Sequence, residues 1–455
     1  MEIKIHNTLS GKKEVFKPIK KGQLTMYHCG PTVYDTAHIG NFRTFITNDI
    51  IRRVFEYNEY KVDQVMNITD VDDKTINRSS AEKISLNDLT KKYEEIFLQD
   101  IEKLNIKRPN KIPRATESIQ DMIEMISTLI EKGIAYKTKD GVYFKINEFK
   151  NYGQLAHINP ERETKERIAN DEYDKENPQD FALWKFHTNE SPEAVWEAPF
   201  GKGRPGWHIE CSAMSKKTLG ETIDIHTGGI DLIFPHHTNE IAQSESANEK
   251  HFVNYWIHIG FINVENEKMS KSKGNFYKLD DIENLGISPI GFRYWLLTSH
   301  YRSPINFTLE AVKGAQTAYI RLIDSFLRLY HTEHEHIHSH GENRDYRSEF
   351  IESINDDFDM PKALALTWDM IKDHSIYAKD KVSMLLDFDK VFGLGLDRVK
   401  EIKQEIPEEI LVLAEARDQA RDEKEWDKAD ALRIEIENRG YIVKDTPSGF
   451  EIKKK

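Results

Sequence analysis

The tightest constraint on the fold lies near the start of the chain. Leu24 to Cys29 is a short apolar run that stops at Gly30-Pro31, after which Phe42, Phe45, Ile46, Ile50 and Val54 recur at helical spacing. A second run, Val62 to Met66, follows. Strand, helix and strand in so short a span make a βαβ unit, whose crossover obliges the two strands to lie parallel in one sheet. Ligands bind in the loops beyond the carboxyl ends of such strands, so the stretch after Cys29 is a candidate site.

The remaining pattern predicts an α/β protein with its sheet in two pieces. Ser85 to Lys132 has helical patterning, and Gly141 to Phe144 reads as a strand inside an insertion rich in charge and proline that runs to about Gly206. Strand-like runs return at Ile223 to His226 and Trp256 to Val264, enough to complete a second half of the sheet. From Thr308 onward the strand signal nearly vanishes. Ala429, Leu432 and Ile436 then mark a helix closed by Gly440, ahead of a hairpin of Tyr441 to Val443 and Phe450 to Ile452. The expected segments are 1–132 and 207–307 for the two halves, 133–206 for the insertion, 308–400 for a helical bundle and 401–455 for a small C-terminal module.

Bulk properties exclude several classes. At about 150 residues per domain, 455 residues suggest about three domains, each able to bury a core without disulfides. No apolar leader opens the chain, and no run reaches the ~18 apolar residues of a membrane span, so a cytoplasmic protein is expected. In a reducing compartment the two cysteines, Cys29 and Cys211, are free thiols or metal ligands. A net charge of -13 argues against indiscriminate coating of nucleic acid. Lys107, Arg108, Lys111 and Arg114, with Lys453, Lys454 and Lys455, read as ordinary solvated charges. The five histidines of HTEHEHIHSH at 331–340 fit no standard metal spacing and read as a solvated linker.

Two polar segments suit a nucleotide. His38-Ile39-Gly40-Asn41 sits between the first strand and helix, where free N–H groups and the helix dipole attract phosphate; Gly40 permits close approach and His38 can donate. Lys268 to Asn275, KMSKSKGN, is a Gly-ended loop whose lysines can neutralise a triphosphate. Four further residues suit a zinc ion: Cys29, Cys211, and His236 with Glu240 one helical turn apart near Pro235. His237 is an alternative nitrogen donor. Spacing alone leaves open that the cysteines are buried small hydrophobes and that His236 and Glu240 are a hydrogen-bonded pair.

The two polar segments resemble the HIGH and KMSKS signatures of class I aminoacyl-tRNA synthetases, with Asn41 in place of the last His. Asn41 can donate a hydrogen bond but cannot become cationic. YHCGPTVYD, NITDVDDK, RPGWHIECSAMS, DIHTGGIDLIFPHHTNEIAQSE and EKMSKSKGN all resemble the cysteinyl-tRNA synthetase family. That resemblance implies a Rossmann-like catalytic domain split by a connective insertion, a bundle meeting the tRNA stem and an anticodon-binding module. It implies ATP bound by His38, Gly40, Asn41, Lys268 and Lys271, with His38, Lys268 and Lys271 meeting the charge that develops on the phosphates, aided by Mg²⁺. One zinc ion per subunit is implied on Cys29, Cys211, His236 and Glu240. Thr69, Trp207, His226 and Asp231 are implied in the amino acid pocket.

The expected activity is therefore ligation of L-cysteine to tRNA(Cys) by a monomer with no membrane partner. An ATP-dependent cysteine ligase of mycothiol synthesis resembles the same family, but a small-molecule ligase has no use for residues 308–455. A non-catalytic zinc-stabilised nucleic-acid-binding module has no use for the lysine loop.

Overall fold

The computed structural model of the chain describes residues 1–158, 180–186, 192–269, 274–332, 344–399, 407–446 and 449–454. Two compact units are present, Met1–Leu396 and Asp397–Lys455. The first is built on a four-stranded sheet of β1 (Gln23–His28), β2 (Lys61–Met66), β3 (Ile223–Gly229) and β4 (Val253–Ile259). Its order is β4-β3-β1-β2 and every pairing is parallel, as the βαβ pattern requires. Both expected halves therefore contribute two strands, joined at the β3–β1 seam.

Helix α1 (Ile39–Tyr57) links β1 to β2 and buries Phe42, Phe45, Ile46, Ile50 and Val54, the series that betrayed it. Each such side chain contributes about 1.5–3 kcal/mol on burial. The helices α2 (Trp207–Leu219) and α3 (Thr238–Asn248) flank β3 in sequence. The insertion forms a separate antiparallel sheet in the order Ala135–Lys137, Gly141–Phe144, Phe181–Phe186, Gly203–Pro205. Its last strand runs straight into α2, and Arg204 in that strand pairs with Asp73.

One expected strand divides in two. Trp256 to Val264 breaks at Gly260, beyond which Ile262–Val264 pairs with Glu267–Lys268 and Ile305–Phe307 in a different sheet. The cause is a close backbone approach: a Cβ on Gly260 would lie 2.8 Å from the Arg302 carbonyl oxygen. Arg43, almost fully buried on α1, donates to the carbonyls of Phe261, His300, Tyr301 and Ser303 and fixes this corner. The elements outside the sequence expectation include the hairpin Lys4–Asn7 with Lys12–Val15, the helix Asp73–Glu82 and the helices Leu279–Asn284 and Pro289–Leu297.

Helices Leu309–Tyr330, Tyr346–Asn355, Met360–Lys372 and Ala378–Phe392 follow, in agreement with the loss of strand signal. They share the core of the first unit with α1. A buried ionic knot ties these segments together. Asp49 on α1 accepts from Arg53 Nε at 2.7 Å, Arg293 Nη2 at 2.5 Å and the Lys107 amide at 2.9 Å. Arg293 also donates to the Phe392 carbonyl at 2.7 Å and Arg53 to that of Lys390 at 3.1 Å. One carboxylate thus ties α1 to Arg293, beyond the second half of the sheet, and to the helix Ala378–Phe392.

The second unit has helices Glu408–Asp422 and Trp426–Asn438 and the hairpin Tyr441–Thr446 with Gly449–Lys454. Ile410, Ala414, Ile436, Val443 and Ile452 form its own core. Gly440, at φ +83°, ends the helix in the left-handed region as expected. Of the basic residues read as solvated, Lys107, Lys111 and Arg114 pair with Glu56, Asp63 and Glu94. The side chains of Lys453, Lys454 and Lys455, and the histidine-rich stretch after Thr332, lie outside the described residues.

Candidate active site

The carboxyl ends of the sheet strands open into a cleft of about 410 Å³. Cys29 follows β1 directly, Asn67 and Thr69 follow β2, and Gly228 and Gly229 end β3. All of them line this cleft, as do Cys211, His236, Trp207, Asp231, His38, Gly40, Asn41 and Lys268. The thiols and the nucleotide signatures, far apart in sequence, therefore face one volume.

Four donors converge there. The ligand atoms of Cys29, Cys211, His236 and Glu240 all lie within 4.8 Å of one another. Cys29 Sγ is 3.7 Å from Cys211 Sγ, and His236 Nε2 is 3.1 Å from Glu240 Oε1. His236 Nε2 is buried and, although within ion-pair reach of Glu240, meets it without hydrogen-bond geometry, so this nitrogen is aimed at the donor cluster and not at a dedicated partner. The hydrogen bond from Cys29 holds the Cys211 thiol down at about 6, while the same bond and burial push Cys29 up. Burial would raise Glu240, but His226 and His236 outweigh it and hold the carboxyl down at about 2. Burial works against a charged His236, and Glu240 and Cys211 overcome it to hold the ring up at about 10. Two thiols, an imidazole and a carboxylate, with the imidazole nitrogen aimed at the cluster, fit a four-coordinate zinc ion.

A second set, Cys29, His226, His237 and Glu240, also lies within 4.8 Å. It shares Cys29 and Glu240 with the first, but His226 and His237 do not line the cleft. His237 Nδ1 is bonded to His258 Nε2 at 2.8 Å, and His258 Nδ1 to Thr8 Oγ1 at 2.8 Å. A metal that must meet a ligand from the cleft is better served by the set containing both cysteines and His236. Burial keeps His237 and His208 far below the ordinary histidine range and His258 at about 3, so these rings are neutral partners at neutral pH.

The nucleotide residues cluster at the start of α1. His38 is its N-cap: Nδ1 accepts from the Asn41 amide at 3.2 Å, and Asn41 Oδ1 accepts from the His38 amide at 3.1 Å. This is a capping box, and it gives Asn41 a structural task that its lack of charge does not impair. With Nδ1 spent on the cap, Nε2 is the nitrogen that carries a donor proton in the neutral ring. A Cβ on Gly40 would lie 2.9 Å from His38 Nδ1 and 3.0 Å from Met269 Cε, so glycine here admits the His38 ring and the lysine loop's Met269. The backbone after that loop returns to α1, where the Ile39 amide donates to the Tyr277 carbonyl at 3.0 Å. Lys268 is exposed, with Nζ 5.4 Å from the Phe261 ring centre. Lys271 lies outside the described residues.

The four residues expected in the amino acid pocket divide. Trp207 opens α2 and stacks on His236, ring centres 4.1 Å apart. Asp231 is exposed on the turn after Gly229, and Thr69 donates to Glu210 Oε2 at 2.7 Å. These three line the cleft. His226 does not: it lies in central strand β3, fully buried, with Nε2 3.0 Å from Glu240 Oε2. Its strand is flanked by β1 and β4, so only side chains packed on the sheet reach it, and it bears on the carboxylate from behind. Sequence reasoning did not single out His208, whose Nδ1 faces His236 Nδ1 at 2.9 Å, or Asn67. The adjacent Trp207-His208 pair was the available hint, since a ligating histidine needs a partner for its other nitrogen.

The comparisons with known proteins bear on this arrangement as a whole. Residues 15–317 match the family of tRNA synthetases class I (C) catalytic domains, and residues 403–452 match the cysteinyl-tRNA ligase anticodon binding domain. A cysteine–tRNA ligase of Brachyspira hyodysenteriae is 45% identical over the whole length of both chains. This chain belongs to the cysteine–tRNA ligase family. A second such ligase, from Protochlamydia amoebophila, is 43% identical over 99% of this chain and 98% of its own. Among solved structures, Mycobacterium tuberculosis methionyl-tRNA synthetase in complex with methionyl-adenylate superposes with a TM-score of 0.63. It does so at 16% identity, over 85% of this chain and 94% of that one. This last likeness establishes the class I fold of the family. No helix among the described residues is long and apolar enough to cross a membrane.

Proposed function

We propose that this chain activates L-cysteine with ATP and transfers the aminoacyl group to the 3′ end of tRNA(Cys), as a cytoplasmic monomer. The carrying observation is the single cleft that gathers a thiol-bearing donor set and the His38 and Lys268 signatures. The cysteine carboxylate attacks the α-phosphorus of ATP, forming a new P–O bond as the bond to the bridging oxygen breaks and pyrophosphate leaves. His38 Nε2–H and Lys268 face the charge that grows on the phosphate oxygens, Lys271 is assigned the same work from the motif, and Mg²⁺ accompanies the ATP. No protein nucleophile is needed.

Cys29, Cys211, His236 and Glu240 would hold the zinc ion. When bound, zinc supplies a Lewis acid that stabilises a thiolate and leaves an alcohol protonated near neutral pH, separating cysteine from serine where shape alone does poorly. Trp207 walls the pocket beside His236, Asp231 offers its carboxylate to the substrate ammonium, and Thr69 supplies a hydroxyl. The match of residues 403–452 to an anticodon-binding domain favours tRNA as acceptor over the small molecule of a mycothiol-synthesis ligase.

Purified, zinc-replete protein should exchange labelled pyrophosphate into ATP only when cysteine is present. Exchange that ignores cysteine, or none at all, rejects the enzyme assignment. His38→Ala should slow that exchange about 10²-fold and, through the lost cap, lower stability by about 1 kcal/mol. His38→Asn should recover the melting temperature, because asparagine caps well, but not the rate. Recovery of both would leave His38 only its cap.

A further inference from the structure

We infer that Asn67 is a positioning residue that sets the spacing of the two cysteines and of Thr69, and so governs how the cleft receives a thiol substrate. The inference rests on the proposed metal-and-thiol reading and names what holds that site in register. Asn67 follows β2, is 1% exposed and lines the cleft. Its Oδ1 accepts from the Gly30 amide at 2.9 Å, which fixes the residue directly after Cys29. The same oxygen lies 3.7 Å from Cys211 Sγ, the other thiol. Its Nδ2 stands 3.3 Å from Thr69 Oγ1 and donates to it, leaving the hydroxyl proton of Thr69 for Glu210 Oε2 at 2.7 Å.

A planar primary amide suits this post because it presents an acceptor and donors from one rigid group. The Gly30 N–H requires the oxygen on its side, so the amide orientation follows from the bonding. The backbone is committed as well: a Cβ on Gly30 would lie 1.6 Å from the Asn67 carbonyl oxygen, so the two loops touch with no room between them. β1 and β2 thus deliver Cys29 and Thr69 to the cleft in loops joined by the Thr69 amide to the Pro31 carbonyl at 3.1 Å and the Val33 amide to the Thr69 carbonyl at 3.2 Å, with the Asn67 side chain holding the Cys29 end. The same side chain reaches across to α2 at Cys211. Groups that support metal donors in this way change affinity about 10–100-fold when removed.

The test uses the full-length protein with its metal content measured first. Wild type without stoichiometric zinc rejects the metal reading on which the inference rests, while cysteine-dependent exchange tests the proposed function separately. With zinc present, Asn67→Ala should raise the KM for cysteine about 10–100-fold in pyrophosphate exchange, leave the KM for ATP within about threefold, and speed metal release to a chromogenic chelator. Thr69→Val should reproduce the cysteine KM increase without faster metal release, because it cuts only the outer contact. Asn67→Asp keeps the acceptor for Gly30 and should restore metal retention but not the KM. Equal changes in both KM values, or unchanged cysteine KM and metal release in Asn67→Ala, overturn the inference. If Asn67→Ala does not fold, Asn67→Leu, which keeps the side chain's bulk without its hydrogen bonds, takes its place with the same expected and overturning results.

Discussion

Cys211→Ser should reduce cysteine-dependent pyrophosphate exchange about 10³-fold or more while the KM for ATP stays within about threefold. Serine is nearly isosteric with cysteine, and Cys211 is a 2% exposed residue on α2, so the helix and its packing survive the exchange. What is lost is a soft donor facing Cys29 Sγ at 3.7 Å. Zinc content by elemental analysis should fall in step, and the margin by which cysteine is activated over serine should narrow. The nucleotide side is expected to hold because His38, Gly40 and Asn41 are fixed by the α1 cap and not by α2. Parallel losses in ATP and cysteine affinity would instead mean a general collapse of the cleft, and unchanged exchange would remove the metal from substrate recognition.

The sequence made the frame legible because hydrophobic periodicity is local. The Phe42 to Val54 series could only be one helix face, and its flanking strands then had to be parallel. The same logic missed the helix Asp73–Glu82, whose sequence DKTINRSSAE has almost no apolar face; its capping box of Asp72 and Thr75 was the sign left in the sequence. It also joined Trp256 to Val264 into one strand, since an apolar run does not reveal that Gly260 must pass within 2.8 Å of another loop's carbonyl.

The site was legible to a different depth. Cys29 and Cys211 alone admitted a bland explanation; motif resemblance grouped them with His236 and Glu240, and convergence within 4.8 Å supplies the geometry that spacing lacked. Asn41 was judged by its missing charge, whereas its Oδ1 acts on the His38 amide. His226 was assigned to the pocket, but its imidazole bears on Glu240 from inside the sheet. Asn67 and His208 escaped notice because their importance lies in which way a side-chain amide or ring faces, and that depends on strands and helices far away in sequence.

Asp49→Asn should destabilise the first unit by about 3–5 kcal/mol, the range for removing one partner of a buried, hydrogen-bonded ion pair. Two guanidinium groups would remain in the interior, Arg293 fully buried and Arg53 nearly so, with their shared acceptor weakened. The effect carries a pH signature. Burial alone would raise the Asp49 carboxyl, but Arg293 and Arg53 outweigh it and hold it below the ordinary aspartate range. A depressed folded-state pKa means that the stabilisation is fully present above the unfolded value of about 3.9 and is lost as pH falls through the folded value. Urea unfolding should therefore show a gap between wild type and Asp49→Asn that is flat from about pH 5 to 8 and closes only in acid below about pH 4. A gap that varies across neutral pH would assign the loss to another group. Because the knot joins α1 to the Pro289–Leu297 helix and to the end of Ala378–Phe392, the variant should also lose pyrophosphate exchange at temperatures where wild type retains it.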